Sequence, residues 1–295
     1  MEYRDSADIS GGNVVTAGGR SGGGGSGGRI AVGGVGGIII LLLSLFFGFD
    51  PAAVLGGGTA PNTGTQAGAP LDQCKTGADV NANRDCRWKA YMASINNYWS
   101  GAFQSGYQPT QMVIFSGQVN TGCGAATSEV GPFYCPQDSK IYIDVDFTEQ
   151  LLQQLGAKGG DAAEAYIVAH EFGHHIQNLT GIMSQVQSQG QQTGPSSPQV
   201  RLELQADCYA GVWFRNSTAD PTGPIQKITQ DDLNRVVDAA VAVGDDRIQE
   251  SQAGRISPES WTHGSSAQRK YWMSVGFKSG NPNQCDTFST NNLGG

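Results

Sequence analysis

Residues 161–181, DAAEAYIVAHEFGHHIQNLTG, decide how the rest of the chain is read. Ala165, Ala169, Phe172, Ile176 and Leu179 recur every three or four positions, the period of a helix with one buried face. Asp161 with Glu164 three residues later predicts a capping box at its start, and Gly181 marks its end. Inside this helix stands His170-Glu171-Phe172-Gly173-His174. Two imidazoles four apart on a helix project from one face about one turn apart. Both can therefore reach a single zinc ion at about 2.0–2.1 Å, with Glu171 beside them to act on a water. His175 points about 100° around the helix and is assigned to hydrogen bonding.

Two histidines and a water leave a tetrahedral site one ligand short. Downstream, Ser196 and Ser197 followed by Pro198 start a second helix that runs to about Phe214. Glu203 and Asp207 lie four apart on it, hence on one face. Glu203 is the expected third ligand, and Asp207 is expected to accept the N–H of a ligating imidazole, which fixes its tautomer. A solvated acidic face is the plainer reading. Against it, both carboxylates sit among Leu202, Ala206, Ala210 and Trp213, where charge is costly unless paired.

Around these helices the pattern is mixed. Trp88, Met92, Ile95, Trp99 and Phe103 predict a helix over 84–103, and Leu233, Val236, Val237, Ala240 and Val243 predict another over 229–243. Residues 113–115 read as a short strand. In KIYIDVDF, 140–147, Ile141, Ile143, Val145 and Phe147 alternate with Tyr142, Asp144 and Asp146, a half-buried strand whose polar face is either solvated or lines a cleft. Residues 182–197 read as a long loop joining the two ligand-bearing helices, a candidate lid. Helices outnumber strands and the class is α+β, mainly helical with a small sheet.

The remaining sequence speaks of location. Twenty of the 43 glycines lie in residues 1–68. The expected order is a disordered Gly-rich tail over 1–29, an anchor over 30–49, a Gly/Pro-rich linker over 50–72 and one folded domain over 73–295. The run 30–49 is uncharged and long enough to cross the roughly 30 Å hydrocarbon core. A cleaved signal peptide is the competing reading, but Asp50 and Pro51 follow the run and the nearest Ala-x-Ala is Ala67–Ala69. Arg20 and Arg29 precede the span and Lys75 is the first cation after it, so the expected topology is single-pass in the cytoplasmic membrane, N-terminus cytoplasmic and domain outside. All six cysteines lie beyond the span, as expected for disulfides in an oxidising compartment. Fifteen connectivities are possible. The two twelve-residue spacings favour Cys74 with Cys86 and Cys123 with Cys135, leaving Cys208 with Cys285. The net charge of −8 argues against a nucleic-acid partner. The sequence leaves the oligomeric state open.

Several strings together resemble one family: HEFGHH at 170–175, ELQADCYAG at 203–211, CGAATSEVGPFYCPQDSKIYID at 123–144, GDDR at 244–247 and THGSSAQR at 262–269. The chain resembles the bacterial membrane-anchored putative neutral zinc metallopeptidases, with the HExxH and ExxxD signature of gluzincins. The resemblance implies a zincin-like peptidase domain holding one Zn2+ on His170, His174 and Glu203, Glu171 as general base and Asp207 supporting a ligating histidine. It also implies that the strand before the active-site helix pairs with extended polypeptide substrate, a place KIYIDVDF occupies, which makes Tyr142 and Asp144 candidate substrate-binding residues. His263, in Trp261-Thr262-His263-Gly264, is a candidate donor to the oxyanion, with Tyr142 and Tyr134 as competitors and a turn-capping role as the alternative. Asp245, Asp246 and Arg247 read either as an ion cluster at a helix end or as groups orienting the site from behind. The function expected is a membrane-anchored zinc endopeptidase acting on extracytoplasmic polypeptides. A non-catalytic zinc-binding adaptor on the same fold is the alternative, and a purely structural envelope protein would bind no stoichiometric metal.

Overall fold

The computed structural model describes residues 1–17 and 69–294. The chain begins with β1 (Glu2–Tyr3) and β2 (Val14–Thr16), and resumes at β3 (Ala69–Pro70), α1 (Gly77–Ala82) and α2 (Arg87–Ala102). Four more strands follow, β4 (Gln111–Ile114), β5 (Gln118–Thr121), β6 (Gly124–Thr127) and β7 (Phe133–Cys135), then β8 (Lys140–Ile143). The helical half comprises α3 (Val145–Gln154), α4 (Asp161–Leu179), α5 (Ile182–Ser188) and α6 (Pro198–Asn216). It is completed by β9 (Ile225–Lys227), α7 (Gln230–Ala242), α8 (Asp245–Ala253) and α9 (Ser266–Ser279). The α+β class holds.

Five strands form one mixed sheet in the order β3-β2-β4-β8-β7, parallel at β2/β4 and β4/β8 and antiparallel at both outer pairs. Met112, Ile141, Ile143 and Tyr134 face the helices and join the main core with Trp88, Phe172 and Trp213. Val113, Phe133 and Tyr142 face the other way, into a small second core with Ala126 of the β5–β6 hairpin. Tyr142 is thus buried on the side away from the helices, stacked on Phe133 at 5.1 Å and donating to Asp138 at 2.6 Å.

The expected strand over 140–147 stops at Ile143. Asp144 accepts from the Phe147 amide and caps α3, so the alternation of 144–147 was a helix entry rather than continued strand. Asp144 also accepts from the Gly117 amide at 3.1 Å and from the Ser128 hydroxyl, which ties the hairpin to the sheet. Both residues expected to bind substrate are therefore structural, and β8 has neighbours on both sides.

At the start of α4 the expected capping box does not form. Gly160 is the N-cap, and Glu164 instead pairs with Arg87 at 2.6 Å in a buried ion pair. The expected loop over 182–197 contains α5, and its end is held to the chain before α9, with Gly194 donating to Trp261 and Thr193 to Glu259. All three favoured disulfides form: Cys74–Cys86, Cys123–Cys135 and Cys208–Cys285.

The expected tail needs correction over its first seventeen residues. Tyr3, Ile9 and Val14 are buried in the main core, β1 pairs with β9, and β2 lies inside the sheet between β3 and β4. The Met1 amine meets Asp232 at 2.8 Å. Gly12 approaches the Lys89 backbone so closely that a Cβ would fall 2.1 Å from its carbonyl oxygen. Residues 18–68, with the uncharged run and the expected linker up to 68, lie outside the described residues, while Ala69 and Pro70 of that linker form β3 of the sheet. Among the described residues no helix is long and apolar enough to cross a membrane. Thr16 pairs with Ala69, so the chain leaves and re-enters the fold on adjacent strands. The first seventeen residues thus share the core and the sheet of the domain that follows.

Candidate metal centre

The site lies where α4 and α6 cross. Gly173 permits the approach: a Cβ there would stand 3.0 Å from the Ala206 Cα. Beside that contact, three residues before it and one after, α4 presents His170 and His174 and α6 presents Glu203 and Asp207. Ser197 starts α6 by accepting from the Val200 amide, with Pro198 at its first turn, as the sequence predicts.

Glu203 Oε2 stands 3.2 Å from His170 Nε2 and 3.6 Å from His174 Nε2, and the three potential donors lie within 4.8 Å of one another. Donors about 2.0–2.2 Å from one tetrahedral zinc stand roughly 3.3–3.6 Å apart, close to the two separations from Glu203, so the three residues could hold such an ion. The other ring nitrogens are engaged. His174 Nδ1 donates to Gln177 Oε1 at 2.9 Å, and the Gln177 amide is itself fixed by donating to the Leu202 carbonyl at 2.7 Å and to Gln205 at 3.1 Å. His170 Nδ1 donates to Asp207 at 2.9 Å. Asp207 also accepts from the Tyr166 hydroxyl and from Arg269 Nε and Nη2 at 2.8 and 2.9 Å. Both Nε2 atoms are thereby aimed at Glu203.

Electrostatics follow from burial. Burial opposes charge on His170, but Asp207 and Glu203 outweigh it and push the imidazole up to about 9, so a cation entering the site displaces a proton. Burial likewise opposes ionisation of Asp207, but Arg269 and His170 hold its carboxyl down to about 2. Glu203, against the same penalty, is held well below the usual carboxylate range by His174 and His170. Glu171 differs from both: burial raises it, and its Oε2 is buried without a hydrogen-bond partner. A buried carboxylate oxygen beside three ligands is where a water or a substrate proton would be met.

These groups open onto a cavity of about 110 Å3, which His263 also lines. His263 Nδ1 lies 3.2 Å from Asp245 Oδ1, while Asp245 Oδ2 accepts from the amides of Thr262, His263 and Gly264 at 2.7, 2.7 and 2.9 Å. Burial lowers the His263 proton affinity, but Asp245 more than compensates and the imidazole is raised above its ordinary value. Of the Asp245-Asp246-Arg247 group, Asp245 orients His263, and Asp246 caps α9 by accepting from the Ser266 amide at 2.7 Å. His175 makes hydrogen bonds only, with the Gln108 carbonyl at 2.7 Å and the Tyr134 hydroxyl at 3.0 Å, which also places Tyr134 outside the site. Tyr142, Asp144 and the 182–197 segment do not line the cavity. Sequence reasoning missed Gln177, Tyr166 and Arg269. Arg269 ends the THGSSAQR string and was the one of the three with a signal.

A family model described as putative neutral zinc metallopeptidase matches residues 1–288. The chain belongs to that family. The match includes the first seventeen residues, in keeping with their place in the sheet. An uncharacterized protein of Mycobacterium tuberculosis H37Rv, Rv2575, is 48% identical over 257 residues, 85% of this chain and 87% of that protein. The uncharacterized protein YpfJ of Escherichia coli K12 is 40% identical over 235 residues, 77% of this chain and 80% of that protein. No solved structure matches the chain.

Proposed function

We propose that the chain is a zinc-dependent endopeptidase that hydrolyses peptide bonds of polypeptides outside the cytoplasm. The observation that carries this is the unpartnered, buried Glu171 oxygen beside a His170-His174-Glu203 set whose spacing suits zinc. His170, His174 and Glu203 would hold the ion, which when bound supplies Lewis acidity and acidifies a water toward neutrality. Glu171 takes a proton from the attacking water and returns it to the leaving amine; its raised proton affinity suits both transfers. His263, whose proton affinity Asp245 raises, donates to the oxyanion. Asp207 and Gln177 keep the ligating rings in register.

The three disulfides support an oxidising compartment, and the uncharged run 30–49 supports attachment to a membrane. Both the N-terminus and the metal centre then lie on the same, outer side. The test of catalysis is cleavage of an unfolded, disulfide-free protein by the zinc-loaded full chain. Glu171→Gln is expected to lower the rate about 10²–10⁴-fold while zinc content stays at one per chain. Equal cleavage by the variant would refute the assigned base, and zinc retention without cleavage by either protein would favour a binding module.

A further inference from the structure

From His174 a line of hydrogen bonds runs through two glutamines to the C-terminal segment. His174 Nδ1 meets Gln177 Oε1 at 2.9 Å, Gln177 Nε2 donates to Gln205 Oε1 at 3.1 Å, and Gln205 Nε2 donates to the Cys285 carbonyl at 3.0 Å. All four residues are buried. A backbone carbonyl can only accept, so that of Cys285 turns the Gln205 nitrogen toward itself and the Gln205 oxygen toward Gln177. The Leu202 carbonyl does the same for Gln177, drawing one of its N–H groups at 2.7 Å. The other N–H goes to Gln205, which leaves the Gln177 oxygen facing His174. His174 therefore carries its proton on Nδ1 and offers Nε2 to the site. A flipped Gln205 would set two NH2 groups against each other in a buried place, each deprived of its acceptor.

The far end of this line is anchored covalently. Cys285 is joined to Cys208, about one turn after Gln205 on α6, so the carbonyl is tied to the helix whose glutamine it orients. Beyond the bridge, the Thr287 hydroxyl donates to the Arg201 carbonyl at 2.7 Å and Arg201 Nη1 donates to the Thr290 carbonyl at 2.8 Å. The segment 285–290 is thus clasped to α6 at Arg201, Gln205 and Cys208. We infer that Gln205 is a positioning residue of the metal centre, acting on His174 through Gln177, and that the Cys208–Cys285 bridge supports zinc binding by holding the carbonyl that orients Gln205. The inference rests on the reading of His170, His174 and Glu203 as zinc ligands. His170 serves as an internal control, because its Nδ1 is held separately by Asp207.

The experiment loads the full chain, in detergent, with zinc and measures its affinity by chelator competition. Gln205→Met keeps the length of the side chain and removes both hydrogen bonds; it is expected to weaken zinc binding about 10-fold. A general loosening of the fold would do the same, so the second readout is the exchange of the two ring Nδ1 protons with water, followed by NMR on histidine-15N-labelled chain. The His174 proton should exchange about 10-fold faster in the variant, and the His170 proton at its former rate. Cys208→Ala combined with Cys285→Ala should move the same two readouts in the same direction, and adding Gln205→Met to that pair should change little, since both act along one path. If Gln205→Met does not fold, the bridge variant decides alone by the same contrast between the two rings. Unchanged zinc affinity, equal acceleration of both ring protons, or losses that simply add would each overturn the inference. Zinc held equally tightly by parent and variant sinks the inference and leaves the ligand set standing, whereas no zinc bound by the unaltered chain sinks both.

Discussion

Each ligating imidazole has one nitrogen tied to a buried acceptor, so the tautomer that aims Nε2 at the site is set before any ion arrives. Asp207 carries most of this for His170, and it does so while satisfying Arg269 and Tyr166. Asp207→Asn keeps the shape but weakens the acceptor, and zinc affinity measured by chelator competition should fall about 10–100-fold. Asp245 acts on His263 in a comparable way. Because Asp245 raises the imidazole, its proton is present below the raised value and lost as pH climbs through it. Activity that needs the protonated donor should therefore show an alkaline limb above the ordinary histidine value. Asp245→Asn should move that limb toward acid, read from kcat/KM against pH; an unmoved limb would exclude His263 as the donor. The grouping of His170, His174 and Glu203 was legible in the sequence because HExxH and ExxxD impose fixed spacings on helices. Gln177, Tyr166 and Arg269 were not, because a residue that steadies a ligand carries no spacing rule of its own and is found only where helices meet.

Helices α6 and α9 hold this arrangement together through glycines. A Cβ at Gly276 would fall 1.9 Å from the Cys208 carbonyl oxygen, and one at Gly211 would fall 2.2 Å from that of Met273. The contact fixes Arg269 against Asp207, so a shift of α9 reaches the metal ligands through one ion pair. Gly276→Ala should destabilise by about 3 kcal/mol and lower the Tm by about 10 °C. Gly101→Ala, at the open end of α2 with no atom within 4 Å of the new Cβ, should be neutral or slightly stabilising, which calorimetry on both variants would check. The long helices were legible because their apolar stripes span several turns. KIYIDVDF was misread because two turns of a helix beginning at Val145 and a continued strand share the same short alternation, and only the Asp144 cap separates them. The β5–β6 hairpin, with Gly124 and Ala125 in one strand, has almost no apolar pattern to read.

At the scale of the molecule, the decisive feature is a sheet strand contributed by the first seventeen residues. Local composition concealed it: Val14 and Val15 sit between glycines, and their partners at 112–113 are distant in sequence. Residues 18–68 lie in sequence between Thr16 and Ala69, which face each other across antiparallel strands. Replacing them with an Asn-Gly turn should give a protein that folds and binds zinc as tightly as the full chain. A chain starting at residue 73 should instead aggregate, because β4 is left with a bare edge; size-exclusion chromatography distinguishes the two. The same pairing sets a clock on biosynthesis. Glu2 waits for Lys227, and the Met1 amine for Asp232, so this early segment finds its place only after a segment far downstream has been made. The fold is therefore closed only after the segment around residues 225–232 has been made.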